Sequence, residues 1–225
     1  MSKPIDLIEE SANAIARSLD VVVYSLDGLF ERAVRDRPDY RGLTEFINQA
    51  SVISDDNVNR VVARLAESMD ALKASLSDSE RVRLSERDDD TEAYAGEAHE
   101  AFGAFFAQAK LAYAKRLREI IAAKSFGHDT YTADPRIMLR NGQQWHFSVF
   151  AYLQTRQLLV NFYNNTKIGL YADAGITEYT LDTEDAELMF EPYSVEDYPE
   201  DAAKLFHPRT MNLVGAPYVS SESDV

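Results

Sequence analysis

The sequence predicts a mainly α protein, in which a multi-helix bundle precedes an irregular, acidic C-terminal arm with at most short strands. Apolar residues recur at helical spacing along most of the first 165 residues. Beyond residue 167 no such pattern persists, and glycines and prolines interrupt the chain. We therefore divide the chain into a helical bundle domain of residues 1–166 and an arm of residues 167–225.

The composition excludes several classes of protein. A hydrophobic content of 45% is typical of a globular chain. The net charge of −15 disfavours general binding to nucleic acid, which needs clustered lysine and arginine. The absence of cysteine excludes disulfides and thiolate catalysis. With no signal peptide and no apolar run of about 20 residues, we expect no membrane association and a location in the cytoplasm or in a particle assembled there.

The first predicted helix covers residues 4–34 and ends before Pro38, because the residue before a proline disfavours helical geometry. A short helix is predicted over residues 43–49. Ser54 then resembles an N-cap, since Asp55 and Asp56 follow it in a first turn. Apolar residues at spacings of four and three continue to residue 76, which predicts a bundle helix.

Two further helices follow. A brief capped helix is predicted over residues 77–84. The acidic run at residues 88–92 opens the clearest helix, which ends near Lys124 with basic residues at its end, as the helix dipole favours. Alanine and aromatic residues alternate along its apolar face. This pattern allows a close approach between helices.

Residues 135–165 carry two competing signals. Asn141-Gly142 lies between two apolar segments, which is typical of a β-hairpin. Against this, Asn141 and Gln144 have the spacing of an N-cap and its capping-box partner, and the apolar stretch after them exceeds the length of an ordinary strand. We predict a buried helix over residues 142–164.

The arm has an unusual charge distribution. From residue 168 to residue 203 there are eleven Asp and Glu and no Lys or Arg. A short strand is predicted over residues 176–181. Aromatic side chains among carboxylates suit a basic surface or a neighbouring subunit. We therefore predict a non-enzymatic interaction or assembly protein, a homo-oligomer or the binder of a basic protein partner, with these partner-binding residues: Tyr179, Phe190, Tyr193 and Tyr198.

The usual motifs of catalysis and cofactor binding are absent from the sequence, and we expect no cofactor and no metal site. One short motif carries the alternative prediction. Arg140 is followed by Asn141 and precedes His146 by five intervening residues. Arginine binds phosphate through two parallel hydrogen bonds, and histidine titrates near neutral pH.

This motif resembles the short signature of HEPN-type ribonucleases. The resemblance implies an all-helical protein that cleaves RNA without a metal across a dimer interface. It implies that Arg140 stabilises phosphate charge and that His146 handles the proton of the 2′-hydroxyl. RNA would then be the substrate, whereas other contact with nucleic acid is not expected. A third hypothesis is that the acidic arm mimics nucleic acid on another protein.

Overall fold

The computed structural model describes residues 3–85, 90–123, 137–138, 144–183, 188, 191–197 and 211–218. Within these ranges helices dominate and the strands are short and antiparallel, which confirms the predicted mainly α fold. The helices are α1 (Pro4–Asp36), α2 (Tyr40–Ser75), α3 (Asp78–Leu84), α4 (Thr91–Ala123) and α5 (Phe147–Asp173). The strands are β1 (Ile137–Met138), β2 (Gln144–Trp145), β3 (Glu178–Asp182), β4 (Tyr193–Ser194) and β5 (Leu213–Pro217).

Helix α2 is continuous, so the predicted helix start at Ser54 is wrong. Phe46, Ala50, Ser54 and Val58 recur every four residues on its buried face. The Ser54 hydroxyl donates a hydrogen bond of 2.6 Å to the carbonyl oxygen of Ala50, within the helix. The serine thus satisfies its own polar group inside the helix, and burial of this face outweighs its preference for a cap.

The start of α2 depends on a glycine. Asp39 caps the helix, because its carboxylate accepts a hydrogen bond of 2.8 Å from the backbone N–H of Gly42. Gly42 is buried against the chain that enters the helix. A Cβ atom at this position would overlap the backbone carbonyl of Arg37. The turn between α1 and α2 therefore requires glycine at position 42.

Replacing Gly42 with alanine should lower the free energy of unfolding by about 2 kcal/mol, because backbone must move to admit the methyl group. Gly28→Ala is the matched control, since no atom lies within 4 Å of its added Cβ. Alanine in that helix interior should raise the stability by about 0.5 to 1 kcal/mol. Urea unfolding of both variants measures the difference. If both substitutions changed the free energy of unfolding in the same direction, the packing argument would be refuted.

Helices α3 and α4 agree closely with their predictions. Ser77 caps α3 through a capping box with Glu80. Helix α4 begins at Thr91 and ends at Ala123. Its apolar face is buried and alternates small and aromatic side chains as predicted: Ala98, Phe102, Phe105, Phe106, Ala109, Tyr113, Ala114, Leu117 and Ile120.

The helix predicted over residues 142–164 is wrong at both ends. The hairpin alternative is present, with Ile137 opposite Trp145 and Met138 opposite Gln144. Gln144 lies in a strand and therefore cannot complete a capping box. Helix α5 starts at Phe147, and it continues to Asp173 because its second half still buries large apolar side chains: Phe162, Tyr163, Ile168, Leu170 and Tyr171. Gly175, with a φ of 70°, follows that end.

The arm contains a three-stranded antiparallel sheet in the order β4-β3-β5. Strand β3 matches the strand predicted over residues 176–181. The sheet packs against the end of α5 through a small apolar core, formed by Ile168, Tyr171, Tyr179, Leu181, Val195 and Val214. The division of the chain into two domains after residue 166 stays a prediction. Helix α5 runs across this boundary.

The contacts form two compact units. Unit 1 comprises Met1–Glu10, Ala66–Tyr94 and Arg156–Val225, and unit 2 comprises Ser11–Leu65 and Ala95–Thr155. The core of unit 2 includes a triangle of aromatic rings, with Tyr113 at 5.6 Å from Phe30 and 6.1 Å from Phe46 between ring centroids. Unit 1 contains the arm sheet and the cleft described below.

Candidate functional site

A buried ion pair lies in unit 1. Lys167, on α5, contacts the carboxylate of Glu80, on α3, and their side chains are only 10% and 16% exposed. The capping box fixes Glu80, because the backbone N–H of Ser77 donates a hydrogen bond of 2.9 Å to its carboxylate. The ammonium group also lies 4.9 Å from the ring centroid of Tyr171. Lys167 is thus held by a carboxylate and an aromatic face.

The pKa values of the pair follow from these contacts. Burial alone would raise the pKa of Glu80, but hydrogen bonds from Lys167 and Ser77 hold it below its ordinary value. Burial alone would lower the pKa of Lys167, but hydrogen bonds with Glu80 and Tyr171 hold it above its ordinary value. Both groups are therefore charged at neutral pH. Lys167 is unsuited to nucleophilic catalysis, which needs a neutral amine.

An open cleft of about 630 Å³ adjoins the ion pair. Tyr163, Lys167 and Tyr171 of α5 line it, together with residues of β3 and β5. Burial raises the pKa of Tyr163 to about 12, so this phenol is neutral at physiological pH. Among the described residues, the Tyr163 hydroxyl has no hydrogen-bond partner.

A side-chain amide fixes the sheet that lines this cleft. Asn164 accepts a hydrogen bond of 2.9 Å from the backbone N–H of Val214 and donates one of 3.0 Å to the carbonyl of Asn212. The hydroxyl of Tyr171 donates to the carbonyl of Gly215. Helix α5 therefore satisfies backbone groups of β5 that no strand pairs. These contacts give the cleft a defined shape.

The described parts of the arm carry carboxylates that form no ion pair with any described residue. Glu191, Glu196 and Asp197 are exposed, and Glu178 is half-buried. Tyr193, among them, is half-buried and donates a hydrogen bond of 3.2 Å to Glu191. This part of the arm is therefore anionic, and the ring of Tyr193 packs partly against the apolar core of the arm.

The predicted partner-binding aromatics have different positions. Tyr179 is 1% exposed and lies in the apolar core of the arm, so it does not line an open surface. Its ring centroid lies 5.9 Å from that of Tyr193, with the two rings tilted by 35°. Tyr193 keeps part of its side chain accessible. Phe190 and Tyr198 lie outside the described residues. Tyr193 is therefore the predicted anchor whose ring is described and partly open.

The predicted catalytic pair is described only in part. His146 has an exposed side chain, and its carbonyl accepts a hydrogen bond of 3.1 Å from the N–H of Phe150 in the first turn of α5. Arg140 lies outside the described residues. Convergence of these two side chains stays a prediction.

Sequence reasoning missed Glu80, Lys167 and Asn164. Each of their contacts joins two residues that are far apart in the sequence. The separation is 87 positions for Lys167 and Glu80, 48 for Asn164 and Asn212, and 50 for Asn164 and Val214. No local pattern shows such contacts. One signal was present: Asn164 and Lys167 lie in a helix segment between Phe162 and Tyr171 that also carries several large apolar residues. Such polar residues are buried only with partners.

Within the part of the chain that the structure describes, no group of three or more His, Asp or Glu side chains is placed to hold a metal ion. None of the described helices is long and apolar enough to span a membrane. No protein-family model, no curated protein and no solved structure matches this chain.

Proposed function

We propose that this protein is a non-enzymatic interaction or assembly protein that binds a basic protein surface through its arm. The observation that carries the proposal is the set of carboxylates on the described part of the arm, Glu178, Glu191, Glu196 and Asp197, which have no paired cation among the described residues. The expected location is the cytoplasm, or a particle assembled there.

The chemistry of this surface supports a protein partner. Unpaired carboxylates attract a basic surface over several ångströms and orient it before contact. A tyrosine ring adds apolar contact area together with a hydroxyl, as at many interface hot spots. The sheet beneath is fixed to α5, so binding orders little of the backbone that bears Tyr193.

A second copy of the chain is one suitable partner. Lys115 and Arg118 are exposed near the end of α4 and offer a basic surface for the arm of a neighbour. Contacts of this kind would produce a homo-oligomer. A separate basic protein would use the same carboxylates, and size-exclusion chromatography with light scattering distinguishes the two.

Neutralising the arm should weaken binding to a basic probe. The test variant carries Glu178→Gln, Glu191→Gln, Glu196→Gln and Asp197→Asn, and its affinity for a ten-residue lysine peptide should fall about tenfold, since each charge contributes a few tenths of a kcal/mol. The control neutralises four exposed acids on the helices instead: Asp20, Asp56, Glu67 and Glu100.

Both variants have the same net charge, so a difference reports the position of the charges. Equal affinities would contradict the proposal, as would a wild-type interaction that does not weaken with salt. For self-assembly, the arm variant should shift the oligomer towards monomer and the control should not. Point substitutions are preferable to removing the arm, because that deletion would also remove the end of α5 that helps to form the apolar core.

Ribonuclease activity remains the second candidate function. His146, which directly precedes α5, is exposed, so RNA could reach its side chain. Under this hypothesis, Arg140→Ala or His146→Ala should abolish cleavage of a labelled RNA without lowering stability. His99→Ala is the matched control, because the side chain of His99, on α4, is exposed like that of His146. Cleavage that survives both substitutions would exclude this pair.

A further inference from the structure

The cleft of unit 1 has polar groups at its wall that the fold does not use. Asp182 ends β3, and its exposed carboxylate has no hydrogen bond or ion pair with any residue that the structure describes. The Tyr163 hydroxyl is likewise without a partner in that part of the chain. Tyr163 and Asp182 both line the cleft. Burial raises the pKa of the Tyr163 hydroxyl, and the negative charge of Asp182 raises it further.

The electrostatic character of the cleft is set by Asp182. The ion pair with Glu80 neutralises Lys167, although both line the cleft. The remaining titratable lining groups are neutral tyrosines and the Asp182 carboxylate. The uncompensated charge of the cleft is therefore negative, in a protein whose net charge is −15. Anionic ligands are disfavoured and cationic ligands are favoured.

Apolar residues share the rest of the lining with Ser75 and Thr180. Leu76, Leu181, Val214 and Pro217 line the cleft beside these polar groups. A volume of about 630 Å³ lies within the range of sites that bind small organic molecules. An apolar wall with a few polar groups of fixed position is the usual composition of such a site.

We propose that this cleft binds an organic ammonium ligand with an apolar body. The ammonium group pairs with the carboxylate of Asp182 and donates a hydrogen bond to the hydroxyl oxygen of Tyr163. The apolar body contacts Leu181 and Val214. This site is distinct from the arm carboxylates proposed to bind a partner, and neither proposal depends on the other.

The probe is 2-phenylethylammonium, titrated into the full-length protein and followed by the backbone amide signals of Leu181, Val214 and Gly215. A dissociation constant of about 1 mM is expected for a probe of this size. Two compounds of the same shape serve as controls, the neutral 2-phenylethanol and the anionic 3-phenylpropanoate. Both should bind at least about tenfold more weakly, because they lack a charge that Asp182 can pair with.

Asp182→Asn should weaken binding of 2-phenylethylammonium about tenfold, and Tyr163→Phe about threefold. Neither change removes a contact among the described residues, so thermal unfolding should show both variants folded. Asp197→Asn, which removes a charge elsewhere on the arm, should bind as the wild type does. Equal binding of the alcohol, unchanged binding by Asp182→Asn, or an absence of shifts at these three amides would overturn the proposal.

Discussion

Lys167→Met should lower the free energy of unfolding by about 3 kcal/mol. Methionine keeps most of the apolar stem, but the change leaves the carboxylate of Glu80 largely buried without its cation. Urea unfolding at neutral pH measures this loss. Arg81→Met is the matched control on α3. The side chains of Arg81 and Asp78 are 48% and 93% exposed, so their ion pair should contribute less than about 0.5 kcal/mol.

The coupling between the two charges distinguishes an ion pair from simple packing. Glu80→Gln combined with Lys167→Met should cost less than the sum of the single changes, since the double variant leaves no unpaired charge. Strict additivity would contradict the role assigned to the pair.

The contribution of the pair should depend on pH. The pKa of Glu80 is lowered in the folded protein, so its stabilising contribution is present above its ordinary value of 4.5 and is lost as the pH falls through the folded pKa. The pKa of Lys167 is raised, so its contribution is present below its ordinary value of 10.5 and is lost as the pH rises through the folded pKa. The effect of Lys167→Met should therefore be greatest between about pH 5 and pH 10 and should shrink in acid.

Asn164→Ala should also lower the free energy of unfolding by about 3 kcal/mol. It removes the partners of the Val214 N–H and the Asn212 carbonyl, which are both in buried residues. Each buried backbone group without a partner costs about 1 to 3 kcal/mol. Hydrogen exchange at Val214 should accelerate in the variant more than exchange in α4, because the lost contacts are local to β5.

Asn48→Ala is the control for this substitution. Asn48 is exposed on α2, and its change should alter stability by less than about 0.5 kcal/mol. Equal effects of the two substitutions, or unchanged exchange at Val214, would show that the amide does not hold the strand.

The sequence predicted those features that local patterns determine. The apolar periodicity of α1 and α4, the capped helix α3 and the strand β3 all follow from residues within a few positions of each other. The errors arose where two local signals conflicted. At Ser54 a capping residue lies on a buried face, and at Asn141 a hairpin signal lies beside a capping pattern. At Ser54 the burial of that helix face decided the structure, and at the second site strands β1 and β2 pair as the hairpin signal indicates.

The cleft could not have been predicted in this way. Its walls come from the start of α1, the end of α2, α3, α5 and the arm, and its polar groups meet only after these distant segments pack. The charge of the arm was readable from the sequence, but the position of its tyrosines was not. Tyr179 and Tyr193 lie in similar acidic surroundings in the sequence, yet one is buried in the core and the other is partly open.

The amide of Asn164 also bears on aggregation. Strand β5 is at an edge of its sheet, where unpaired backbone groups could recruit a strand from another molecule. At one end of this edge, Asn164 forms hydrogen bonds with the Asn212 carbonyl and the Val214 N–H. At the other end, Pro217 has no N–H that could pair with a strand. The arm is thereby protected at β5 from indefinite growth by strand addition. Partners of the arm should meet its side chains there, and Asn164→Ala should make fibril formation, followed with an amyloid dye, faster than in the wild type.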